Sequence, residues 1–269
     1  MGNSSRAGFT IIETVLFLGV SGLLILAMIT GTGASINIQR YRDATESFKA
    51  LVQDQYADIG NVQNGRIADQ TCDATAKPSS QSNGEGRGQS ECVIVGKYLR
   101  IDGGTYDIYT VLAYETNAAV AIGDSDVAVM NKKYLFNTSD TSDTSGSLEW
   151  GTRIAWPLPG KAGAEVVGTS NPRTLGILFL RSPHSGQIYT FTSNTIPAKN
   201  AIGNGTFTPM ITSANNVPGR AARVVCIDSD GMFVDSNQSL YISANANGPN
   251  GVELRTNEII KQKGGATEC

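Results

Sequence analysis

Histidine is nearly absent: His184 is the only one in 269 residues. Histidine-dependent metal binding and Ser-His-Asp or Cys-His catalysis therefore have almost no material, and His184 lies in a Pro-Xaa-Xaa-Gly stretch that reads as a solvated turn. Cysteine is also scarce. Cys72, Cys92, Cys226 and Cys269 include no CxxC pair, which argues against zinc-ribbon and thioredoxin-like chemistry. No block of basic residues stands out in a chain of net charge -3, so the electrostatic footprint of a duplex-binding protein is missing. A local nucleic-acid contact stays possible but is not indicated.

Apolar residues make up 40% of the chain, enough for one large domain or two small ones with a real core. Thirty glycines, with plentiful Ser, Thr and Asn, favour many short strands joined by turns. An even cysteine count behind an export or membrane segment suits two disulfides in an oxidising compartment. Three pairings are formally possible. Sequence proximity favours Cys72 with Cys92 and Cys226 with Cys269, and four free thiols are the alternative.

Residues 1–8 are short and polar with one positive charge, Arg6, which stays cytoplasmic under the positive-inside rule. From Phe9 to Gly31 the chain is apolar apart from Glu13 and some Thr, Ser and Gly, about the length that spans a hydrocarbon core as a helix. Glycines 19, 22, 31 and 33 mark places for local unwinding or close helix approach. Helical periodicity continues through Ile38, Tyr41, Thr45, Phe48, Leu51, Val52 and Gln55, with charges mostly on other faces. One helix is therefore expected over residues 9–59, on the order of 75 Å long at ~1.5 Å per residue, with 9–31 in a membrane or an equivalent bundle.

Residues 60–91 are polar and rich in Gly and Ser. From Cys92 onward, strands are expected at Val93–Ile101, Thr105–Tyr114, Ala118–Ile122, Val127–Phe136, Arg153–Trp156, Thr174–Arg181, Gln187–Thr192, Ala221–Asp228, Met232–Asp235, Leu240–Ser243 and Val252–Arg255. Turn signals such as Asp102-Gly103-Gly104 separate them. Asn137–Ser147 and Asn194–Gly205 read as long exposed loops. The fold class is α+β: a long N-terminal helix, transmembrane then amphipathic, packed on an antiparallel β-rich globular domain over 60–269.

Asp228, Asp230 and Asp235, or Asp124 and Asp126, offer clustered oxygens for Ca²⁺, but short Asp-Ser-Asp-Gly runs are usually turns and the twelve-residue calcium loop is absent. No metal or cofactor is expected. Trp150, Trp156 and Tyr189 suit an adhesive surface, although strand aromatics are usually core.

Glu13 is the residue that demands a chemical explanation. A carboxylate inside a membrane-spanning segment is expensive and seeks a cationic partner. Cutting the chain between Gly8 and Phe9 creates an α-amine one helical turn away, or beside Glu13 of a neighbouring copy. An ordinary secretory signal, with Gly31-Thr-Gly-Ala34 imitating its cleavage site, leaves Glu13 unexplained, as does a plain signal anchor.

Arg6-Ala-Gly-Phe-Thr-Ile-Ile-Glu13 and the apolar run after it resemble the prepilin signature of type IV pilins and type II secretion pseudopilins. The match covers Arg6 to about Gly31, with Ile11 where Leu is usual and Ala7 between Arg6 and Gly8. Leu175–Tyr189 followed by Ala222–Val234 looks like the paired strands of H-type minor pseudopilins. The resemblance implies a leader over 1–8, cleavage between Gly8 and Phe9 by a prepilin peptidase, and N-methylation of Phe9. It also implies subunit assembly through Glu13, with no catalysis by the chain itself. The implied partners are other pilin subunits, an assembly platform and the cytoplasmic membrane. The implied destination is an extracellular pilus for adhesion, motility or DNA uptake, with a secretion pseudopilin or a non-polymerising membrane-anchored binding protein as alternatives.

Overall fold

The computed structural model describes residues 10–61, 70–80, 90–139, 144–155, 158–159, 173–212, 222–229, 231, 238–244, 246–256, 259 and 267–269. Its first element, α1 (Ile11–Gly60), is one unbroken helix of 50 residues, as the continuous helical period leads one to expect. Thr10 caps its start, and the Asn61 N–H closes its end on the Ala57 carbonyl. The four glycines do not interrupt it, and a Cβ added at Gly19, Gly22, Gly31 or Gly33 would meet nothing.

A disulfide joins Cys72 to Cys92, stapling the small hairpin of β1 (Gln70–Cys72) and β2 (Pro78–Ser80) to the start of β3 (Cys92–Asp102). The turn at Gly103 leads into β4 (Thr105–Glu115), with Asp102 opposite Thr105 and Arg100 opposite Asp107. On the far edge of β4 lie β5 (Tyr134–Thr138) and β6 (Thr144–Ser147). A second sheet begins with β7 (Arg153–Ala155), and β8 (Leu158–Pro159) forms a separate two-stranded ladder described below. On its other side β3 pairs with β9 (Thr174–Arg181), which pairs with β10 (Ile188–Ser193). This six-stranded sheet is antiparallel throughout.

The second sheet is also antiparallel, in the order β13 (Val252–Thr256), β12 (Gln238–Ile242), β11 (Arg223–Asp228), β7. The last strand, β14 (Thr267–Glu268), pairs with β8, and the Cys226–Cys269 disulfide ties the final residue to β11. Both cysteines of that bridge are fully buried.

Strand alternation sorts side chains into two cores. Leu99, Ile101, Ile177 and Phe179 face α1, where they meet Phe48, Val52 and Tyr56 together with Val225 and Leu240 of the second sheet. Tyr98, Val111, Leu178, Leu180 and Phe191 face the opposite way and are covered by Met130 and Phe207. Those two come from α2 (Asp126–Lys133) and α3 (Asn204–Thr212). Because β9 is covered on both faces, Leu175–Leu180 reads as a continuous buried run.

Three expectations fail on the described residues. Ala118–Ile122 is an exposed irregular segment, since β5 occupies the edge of β4 that it would have needed. Val127–Phe136 is not a single strand: Ser125 caps a helix, Asp126 sits in its first turn and Lys132 and Lys133 in its last, and these end signals override the valines. Asn137–Ser147 is not simply a loop, because β6 pairs with the start of β4, whereas Asn194–Gly205 is the expected largely exposed connection up to the start of α3. Trp156 and Met232–Asp235 lie outside the described residues.

Closing loops of 20 and 43 residues, the two disulfides are worth roughly 3 and 4 kcal/mol by loop entropy. The double variant Cys226→Ala, Cys269→Ala should lose about 4 kcal/mol in urea unfolding, and more if the vacated space stays empty. Burial also pushes the hydroxyls of Tyr41 and Tyr56 up to about 12. A folded-state value above the unfolded value of about 10 means that this stability is intact below pH ~10 and lost as pH rises towards 12. Alkaline titration followed by circular dichroism should therefore show unfolding in that window, at a higher pH in Tyr41→Phe if the ionisation of Tyr41 drives it.

Candidate functional site

Among the described residues nothing covers the amino-terminal half of α1. Thirteen large apolar residues between Ile11 and Ile29 are exposed around the whole helix, from Ile11 at 83% to Val20 at 50%. Removing them from water is worth on the order of 20–40 kcal/mol, so they require another apolar environment. The helix is long and apolar enough to cross a membrane once. Its hydroxyls are compatible with that setting, since Thr14, Ser21, Thr30 and Thr32 each donate back to a carbonyl three or four residues earlier. From Thr10 to Gln39 the only ionisable side chain is Glu13.

Glu13 lies in the first turn and forms a capping box with Thr10. Its Oε2 accepts the Thr10 N–H at 2.9 Å and the Thr10 hydroxyl at 3.0 Å, while the Glu13 N–H donates to Thr10 Oγ1 at 3.3 Å. A negative side chain here complements the positive end of the helix. Both side-chain contacts use Oε2, so neither consumes Oε1. Gly8 and Phe9, the expected cleavage pair, lie outside the described residues.

The second half of α1 is welded to both sheets. Tyr41 donates its hydroxyl to the Ile227 carbonyl at 2.8 Å and accepts the Gln238 N–H at 2.8 Å, which bridges β11 and β12. The Tyr56 hydroxyl meets Thr190 at 2.8 Å on β10, and its ring stands edge-on to Phe179 at 4.9 Å. Gln53 donates to the carbonyls of Pro249 and Val252. Any force on the apolar half is therefore transmitted to the domain through a rigid rod.

Of the remaining candidates, Asp230 and Asp235 lie outside the described residues, Asp228 pairs with Arg173, and Asp124, Asp126 and His184 have structural partners. The acids at 124 and 126 do not converge: Asp124 is held by Lys132, and Asp126 accepts from Ser182 and Ser185. Among the described residues no group of three His, Cys, Asp or Glu could hold a metal. His184 is exposed, and its N–H donates to Ser182 Oγ within the expected turn. On the outer sheet face, Asp107 accepts from Lys199 and Ser145 at 2.8 Å each and lies 3.5 Å from Arg100. Burial raises the Asp107 carboxyl, but these bonds outweigh it and leave the group below the usual carboxylate range. The cluster pins β6 and the segment around Lys199 to the sheet. A cleft of about 420 Å³ at the end of α1, lined by residues such as Asp58, Asn61, Lys97 and Thr110, brings together no reactive set.

Compared with known proteins, the chain matches no family model, and no curated protein or solved structure matches it significantly. The functional argument therefore rests on α1.

The capping box was in reach of the sequence, because Thr-Xaa-Xaa-Glu ahead of an apolar run is its signature. The Arg100–Asp107 pair also follows from counting outward from the Gly103-Gly104 turn. Trp150 on Arg40 carries no such signal, since nothing local links residues 110 positions apart. If α1 crosses the membrane, the chain should remain in the membrane fraction after alkaline carbonate washing. Leu23→Arg adds about 2.5–3.5 kcal/mol to insertion and should move a measurable share into the supernatant.

Proposed function

We propose that this chain is a structural subunit of the type IV pilin class, of minor-pilin type, which polymerises through α1 into a cell-surface filament. The observation that carries the reading is the division of α1 into an uncovered apolar half and a half bound to a β-rich domain. Such a rod can be stored in a bilayer and then moved into a bundle of identical helices without repacking its domain. The resemblance of Arg6 to Glu13 to the prepilin signature supports cleavage after Gly8 and methylation of Phe9.

The chemistry at the helix entry follows from charge. Cleavage creates a cationic amine at Phe9, and in a packed helical bundle an unpaired carboxylate is costly. Glu13 of one subunit neutralises that amine on its neighbour through Oε1 while Oε2 retains the Thr10 cap. This sets the axial register of one helix against the next. The partners of the chain are then prepilin peptidase, an assembly platform and other pilins. In this reading the chain begins in the cytoplasmic membrane and ends in an extracellular pilus used for adhesion, motility or DNA uptake, or in the pseudopilus of a secretion system.

A second reading is a membrane-anchored extracellular binding protein that does not polymerise. The capping box favours it, because Thr10 gives Glu13 hydrogen-bond donors without any second chain.

Sequencing the amino terminus of mature protein separates the two, with a start at methylated Phe9 expected. An intact Met1, or a start near Ser35, would sink the pilin reading. Glu13→Ala should leave processing intact and reduce filament incorporation severalfold, by immunoblot of sheared filaments. Thr10→Ala removes the cap and spares the carboxylate, so it should cost about 1 kcal/mol of helix stability and leave assembly largely intact. If both variants assemble like the parent chain, Glu13 has only a capping role.

A further inference from the structure

Trp150 sits where core packing would not place a tryptophan. It is 52% exposed, in the short turn Glu149–Gly151, and its backbone adopts φ 55° and ψ 24°, a left-handed conformation that side chains other than glycine rarely take. The turn is clamped on both sides. Leu148 and Thr152 are buried; the Leu148 N–H donates to the Gly104 carbonyl at 2.7 Å, and the Thr152 N–H and hydroxyl both reach the Glu149 carbonyl. The ring is thus held outward by a built support.

One face of that ring is covered by Arg40, whose guanidinium carbon lies 4.8 Å from the ring centroid. Arg40 is itself exposed and is the first charged residue of α1 after Glu13. Twenty residues of helix run from Glu13 to Gly33, and twenty residues span the ~30 Å hydrocarbon core of a bilayer. Arg40 lies roughly 10 Å further along, at the outer edge of the ~5–8 Å headgroup layer, within reach of its long side chain. Tryptophan and arginine are the types such a layer selects, one an amphipathic ring and the other a fork of donors that matches phosphate oxygens. Arg42, Asp43, Glu149 and Arg153 are also exposed close by in sequence and, with Arg40, leave a single net positive charge, which suits a zwitterionic lipid with Arg40 as the phosphate ligand.

We propose that Trp150 and Arg40 form an interfacial foot that seats the globular domain on the phospholipid headgroups of the leaflet through which α1 emerges. The inference rests on the membrane-stored stage of the proposed function, but not on cleavage or polymerisation. The foot fixes how far α1 rises from the bilayer and how the domain is turned about it. Extraction of the subunit then breaks a defined contact as well as the burial of the apolar half.

The test uses the full chain reconstituted in phosphatidylcholine vesicles. Emission from Trp150 is isolated both as the difference between the parent and Trp150→Phe and in a Trp156→Phe background. Lipids brominated near the glycerol end of the acyl chain should quench about half of it, and lipids brominated near the chain end should quench less. Arg40→Gln should weaken the shallow quenching, and no change would overturn the part assigned to the arginine. Emission that is open to aqueous iodide and insensitive to brominated lipid would overturn the foot, as would emission shielded from both, which would mean that a second copy covers the ring. Flotation of the vesicles separates the two levels: protein that fails to float overturns the membrane reading, whereas floating protein with unquenched Trp150 overturns only the foot.

Discussion

The constraint behind this molecule is that α1 is one continuous helix whose two halves need different solvents. Its apolar half carries exposed Ile, Leu, Val, Phe and Met on every side, and its second half buries Tyr41, Phe48, Val52, Tyr56 and Ile59 at three- and four-residue steps. A helix apolar all round belongs in lipid or among other helices, whereas an amphipathic one belongs on a globular core. Without a break between the halves, the position of one dictates the position of the other. The domain can face only the space that the end of the apolar segment leaves to it.

The join between helix and domain is built to withstand that coupling. Tyr41 is bonded to β11 and β12 of one sheet and Tyr56 to β10 of the other, so the helix serves as the common wall of two sheets that share few direct contacts. The main core contains residues from all three components. Removing the helix would expose both sheets at once. Its second half is therefore as much a part of the domain as any strand, and the domain is not a separate cargo on a tether.

How much of this was legible depends on how local each signal is. The length of α1, the strands from Cys92 to Glu115 and from Thr174 to Ser193, and the proximity pairing of the cysteines were readable because period, turn residues and spacing lie close together in the chain. The stretch from Asn117 to Thr138 was not. Its β-branched and apolar residues satisfied a strand pattern, while the short helix there depends on Ser125 and Asp126 at one end and Lys132 and Lys133 at the other. The division into two sheets was also hidden, because no local feature of β9 and β11 says that they belong to different ladders. For the candidate site, Glu13 stood out as a misplaced charge. Its capping partner Thr10 stands three residues upstream, a local signal in the sequence, whereas the Trp150 contact needed the fold itself.

The capping box changes what Glu13 has to accomplish. A carboxylate with no donors near a bilayer would be driven to protonate or to find a cation, and that pressure would act at all times. With Thr10 supplying two donors to Oε2, the isolated chain carries a partly satisfied anion at the positive end of its own helix. The unmet demand is smaller, and it is directional, resting on Oε1 and on net charge. A residue in that condition can persist through storage as a monomer and still gain from a neighbour's amine. In the proposed filament, pairing would therefore act as a modest, geometry-selective bias added to the much larger burial of the apolar helix. Burial would supply most of the association energy, and Glu13 would select which axial offset of that burial is populated.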